Sequence, residues 1–71
     1  MSVQSVVIPS KWGLHAAKHW LLSNGYGYKK VHETPHTYRF RQFDPPPDGR
    51  YYTKALPNGV LLVVLKTGRA G

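Results

Sequence analysis

Thr37-Tyr38-Arg39-Phe40-Arg41-Gln42-Phe43 alternates ring and cation at a period of two. Successive side chains of a β-strand point to opposite faces. Tyr38, Phe40 and Gln42 therefore line one face, and Arg39, Arg41 and Phe43 the other. The division predicts rings turned inward under a helix and arginines turned outward, a strand that is structural first and a charged contact surface second.

The rest of the chain arranges itself around this strand. Val3 to Ile8 reads as a first strand ended by Pro9, and Leu14 to Asn24 as one helix. Leu14, Ala17 and Leu21 share a helix face with Trp20 beside it. Asn24-Gly25 closes the helix, because glycine takes the left-handed C′ position without strain. Tyr28 to Glu33 is a second strand and the hairpin partner of Thr37 to Phe43. Asp44 to Arg50, with three consecutive prolines, cannot join a ladder and forms a stiff loop. Tyr51 to Leu56 is a fourth strand, and Asn58-Gly59 predicts a type I′ hairpin turn into Val60 to Lys66. Thr67 to Gly71 is a basic tail.

The order β-α-β-β-β-β predicts a single α+β domain over residues 1–71, with a mostly antiparallel sheet and one helix packed on one face. Val60-Leu61-Leu62-Val63-Val64-Leu65 is apolar on both faces, the pattern of a strand buried from both sides. With one helix available, either the sheet curls to close its far face or another molecule covers it.

Composition narrows the function. Seventy-one residues bury a small core. The absence of cysteine excludes disulfides and thiolate metal sites. Ten Lys and Arg face three Asp and Glu, a formal charge of +7 that favours an anionic partner, nucleic acid or an acidic protein surface. The longest apolar run, Val60 to Leu65, is far short of the ~20 residues of a spanning helix. No secretory signal is visible, so the expectation is no membrane partner and a location inside a cell.

Two histidine patterns have ordinary explanations. His32-Glu33-Thr34-Pro35-His36 matches a zinc-protease string that has meaning only on a helix, and Pro35 forbids one there. It reads as a strand end and turn. His15 and His19 are four apart on the helix, beside Lys18, and read as its solvated face. Three scattered acids do not make a metal-dependent nuclease. No catalytic residues, metal or cofactor are therefore expected.

Several segments together carry a resemblance. Leu14-His15-Ala16-Ala17-Lys18-His19-Trp20-Leu21-Leu22-Ser23-Asn24 runs into Gly25-Tyr26, then Lys30-Val31-His32-Glu33-Thr34, Tyr38-Arg39-Phe40-Arg41-Gln42, Asp44-Pro45, and Thr53-Lys54-Ala55-Leu56 through Asn58-Gly59-Val60. Over residues 3–65 the chain resembles a short basic domain that recurs in tailed phages and large DNA viruses. The Tyr-Arg-Phe-Arg-Gln stretch is its most specific piece. Gly13 stands where a Ser or Thr helix cap is expected, and His15 where an acid is common. The resemblance implies a viral setting, in the host cell interior or the virion, and carries no mechanism.

The expected function is non-catalytic binding of DNA or RNA, with Arg39 and Arg41 on one strand face, Lys29 on the neighbouring strand, and Arg50 and Lys54 after the proline loop. Lys30 is expected on the opposite face from Lys29. The alternative is a protein-interaction or virion-assembly module, a homodimer or the partner of an acidic protein. It would use the apolar strand, with Trp12, Phe43 and Tyr51 as interface side chains.

Overall fold

The computed structural model describes residues 2–44 and 48–67. Five strands and one α-helix follow in order: β1 (Ser2–Pro9), a single 3-10 turn (Ser10–Trp12), α1 (Leu14–Ser23), β2 (Val31–Glu33), β3 (Thr37–Arg41), β4 (Arg50–Ala55) and β5 (Leu61–Thr67). The α+β class and the element order agree with the sequence. The proline run 45–47 and tail residues 68–71 lie outside the described residues, while Thr67 ends β5 rather than beginning the tail.

The strands form one antiparallel sheet in the order β2-β3-β1-β5-β4. The first strand in sequence is thus central in space, paired to β3 on one side and β5 on the other. The remaining pairs are hairpins, β2 with β3 and β4 with β5. Two antiparallel steps separate β2 from β1, so these two strands run parallel and need a crossover, which α1 supplies.

The core is one-sided. Ala17 and Leu21 from α1 meet Val6 and Ile8 from β1, Phe40 from β3, Leu62 and Val64 from β5, and Val60 just before β5. Phe40 is the largest fully buried side chain. It sits opposite Val6 in the register, with Tyr38 opposite Ile8. On the far face, Leu61 keeps 36% of its surface exposed, and Val63 and Leu65 are half buried. Within this chain β5 is therefore buried on one face and only half buried on the other. Among the described residues no helix packs on the far face, although Ser5 on it is fully buried.

Both ends of α1 rest on glycine. Gly13 precedes it at φ 83° with no side-chain cap. At the other end Gly25 has φ 80°, its N–H donates to the Leu22 carbonyl (3.2 Å), and the Tyr26 N–H donates to the Leu21 carbonyl (2.8 Å). This is a Schellman closure, which satisfies carbonyls the helix leaves open. Its hydrophobic contact is a stack of Trp20 on Tyr26, with ring centroids 6.0 Å apart and planes 19° apart.

The β4–β5 connection corrects the type I′ expectation. Asn58 does not have positive φ; only Gly59 does, at 95°. The Gly59 N–H donates to the Leu56 carbonyl (3.0 Å) and the Leu56 N–H to the Val60 carbonyl (2.8 Å), so Pro57-Asn58-Gly59 is a three-residue loop. Pro57 decides this, since its ring holds φ near about −65° and suits an ordinary turn closed by a left-handed glycine. The Asn58 side-chain oxygen accepts from the Val60 N–H (3.1 Å) and fixes the loop's exit.

Gly25→Ala places a Cβ in a left-handed conformation where space is open, so the cost is conformational alone. A loss of about 1 kcal/mol in unfolding free energy is expected, read from the urea midpoint, with Gly25→Asn losing less.

Candidate functional site

The helix-free face is organised in ranks fixed by strand register. One rank runs His32, Arg39, Val7, Leu61, Ala55 across the sheet. The next runs Arg41, Ser5, Val63, Thr53, and a third pairs Ser2 with Leu65 and Leu65 with Tyr51. The face is thus divided lengthwise: cations on β2 and β3, uncharged side chains on β1, β5 and β4, the apolar ones concentrated on β5.

On the basic half, Lys30, Val31, His32, Arg39 and Arg41 line an open depression of about 420 Å³. Arg39 and Arg41 are both exposed, with Phe40 between them pointing into the core, as the alternation predicts. Arg41 Nη1 lies 3.3 Å from Asp44 Oδ1, a pair whose side chains are 54% and 78% exposed. Exposed pairs of this kind contribute little and leave the arginine available. It is the only Lys or Arg salt bridge shown among the described residues.

The structure redistributes the other expected cations. Lys29 does not share the arginine face: β2 begins only at Val31, and its register sets Val31 against Phe40 and His32 against Arg39. This parity brings Lys30 to the arginines, and a one-residue difference in register moves a side chain to the other face. Lys29 instead borders an adjoining hollow, lined by Leu22, Tyr26 and Tyr28 together with Lys30 and Arg41. Lys54 pairs with Leu62, a core residue, and so belongs to the helix side of the sheet. Arg50 pairs with Thr67 at the outer end of edge strand β4, three strands from Arg39 and Arg41.

The three expected interface side chains also separate. Tyr51 is half buried on the arginine side of the sheet. Phe43 lies past the end of β3, so alternation no longer places it; its carbonyl accepts from Gln4 Nε2 at 2.6 Å. Trp12 lies on the helix side, where it lines a hollow with Trp20, His15 and His19. Lys18 turns away from that hollow, its Nζ 5.5 Å from the centre of the Tyr28 ring. His32 and His36 fall on β2 and the following turn, as Pro35 predicts.

Sequence reasoning missed the polar scaffold under the basic half. Gln4 sits at the β1 irregularity between Val3 and Ser5 and is buried together with Ser5. Its side-chain oxygen accepts from Ser5 Oγ at 2.6 Å, and its carbonyl accepts from the Gln42 N–H at 2.8 Å. The Gln42 amide group pairs with the Gly27 backbone like a strand neighbour, accepting from its N–H (2.8 Å) and donating to its carbonyl (3.0 Å). The available signal was polar side chains within otherwise apolar or aromatic strands.

Neither a protein-family model, nor a curated protein, nor a solved structure matches this chain.

Gln42→Ala removes both bonds to Gly27. It is expected to lower stability by about 1 kcal/mol and to speed amide exchange at Gly27 selectively, measured by NMR hydrogen exchange.

Proposed function

We propose that this chain is a small non-catalytic module that binds nucleic-acid phosphates through the basic half of its open sheet face. The observation that carries the reading is the convergence of Lys30, His32, Arg39 and Arg41 on one shallow depression that no described carboxylate lines, with Asp44 paired to Arg41 at its side. Arginine forks match phosphate oxygens, and phosphate contacts dominate sequence-independent affinity. The +7 formal charge adds long-range attraction. Glu33 lies on β2 and Asp44 and Asp48 in the β3–β4 loop, and none of the three lines the depression, which fits binding rather than acid–base work. We place this activity in a viral setting, in the host cell interior or the virion, on the resemblance described above.

A second reading has its own support. Leu61 is exposed, and Val7, Val63 and Leu65 are only half buried, beside it on the same face. Such a strip suits a protein partner or a second copy of the chain in an assembly. Among the described residues no helix is long and apolar enough to cross a membrane.

Titration of labelled single- and double-stranded oligonucleotides at two salt concentrations, with solution mass measured in parallel, separates the two. Phosphate binding weakens steeply with salt, while an apolar interface does not. Arg39→Gln and Arg41→Gln should each lower affinity and reduce the salt slope by about one. Asp44→Asn should raise affinity by about threefold by removing a negative charge beside the phosphate contact. No binding at low salt together with a dimer mass sinks the nucleic-acid reading.

A further inference from the structure

The basic depression continues across β1 into a smaller one of about 250 Å³, lined by Gln4, Ser5, Arg39, Arg41, Tyr51 and Val63. Its floor is already satisfied. Ser5, fully buried, donates its hydroxyl to Gln4, and the Gln4 amide donates to the Phe43 carbonyl. Tyr51 differs. Its hydroxyl is buried and has no hydrogen-bond partner among the described residues. Buried hydroxyls almost always have partners, and leaving one unmade costs the folded state free energy. An O–H donor without an acceptor, buried beside a notch that two guanidinium groups line, can meet an oxyanion once a side chain over it moves aside.

The surroundings say what else the ligand carries. Arg39 and Arg41 are two residues apart on one strand, a separation of about 6.7 Å along it, close to the step between neighbouring phosphates of one nucleic-acid strand. On the other side of the notch the face turns apolar through Val63, Leu65 and Leu61, with the Tyr51 ring at its border. A duplex presents phosphates but keeps its base faces stacked inside, so this strip would meet only charge. A single strand offers phosphates and free base faces together.

We propose that the site takes single-stranded nucleic acid, with a phosphate held by Arg39, Arg41 and the Tyr51 hydroxyl and the adjoining base laid on the Tyr51–Val63–Leu65 strip. This deepens the phosphate-binding reading and rests on it.

The test compares three labelled probes at low salt: a short oligothymidine, a duplex of the same strand length, and an abasic strand of the same charge. The oligothymidine should bind about tenfold more tightly than either of the others. Tyr51→Phe, which removes only the hydroxyl, should weaken oligothymidine binding about tenfold, because a hydrogen bond to a charged acceptor is lost. Its melting temperature should stay level or rise, since no bond within the protein is broken. Duplex binding as tight as single-strand binding, or unchanged affinity in Tyr51→Phe, overturns this inference and leaves phosphate binding standing. Failure of all three probes to bind removes both. Val63→Thr, close in shape, gives an independent reading: weaker oligothymidine binding with an unchanged salt slope supports the apolar strip, and unchanged binding counts against it.

Discussion

The burial of Phe40 is the constraint from which the molecule's surface follows. Its ring is fully enclosed against β1, β5 and α1, and among the described residues no other fully buried side chain is as large. A strand cannot bury one residue without committing its neighbours. With Phe40 inward, Arg39 and Arg41 must stand on the opposite face, and the β1 register sets Val7 and Ser5 beside them. The described residues hold one α-helix, and α1 covers the Phe40 side. The core thereby determines which face stays open and which cations occupy it.

The central place of β1 divides that open face. Its neighbours are β3, which carries the arginines, and β5, which carries Leu61, Val63 and Leu65. Small Ser5 at the boundary leaves a notch where a larger residue would leave a ridge. The irregularity at Gln4 adds a second effect. It frees the Gln4 side chain to tie down Phe43 while its carbonyl accepts from Gln42, which in turn holds the Gly27 segment. The basic half is therefore braced by hydrogen bonds as the apolar half is braced by packing.

The elements were legible in the sequence because their signals are local. Ring–cation alternation located β3 and assigned both its faces, helical spacing located Ala17 and Leu21, and Asn24-Gly25 located the end of α1. The order of strands was not legible, because pairing of β1 with both β3 and β5 depends on contacts far apart in the chain. The placement of the cations has the same origin. Nearness in sequence groups Lys29 and Lys54 with the arginines, whereas the register of β2 against β3 and of β4 against β5 decides their faces. β5 shows a related limit: an apolar run reports what a strand can bury, not what covers its second face.

Tyr51 shows why the site cannot be reduced to charge. Net charge and exposed arginines would be the same if β4 carried phenylalanine there, and salt-dependent attraction would be unchanged. What a tyrosine adds is a directional donor held out of water, next to two cations that are themselves held in line by the pleat of β3. In a core, such a hydroxyl without a partner is a defect. At the border between a basic and an apolar half-face it has a chemical use, because a ligand that brings an oxyanion and a flat apolar ring satisfies the donor, the guanidinium groups and the exposed strip together.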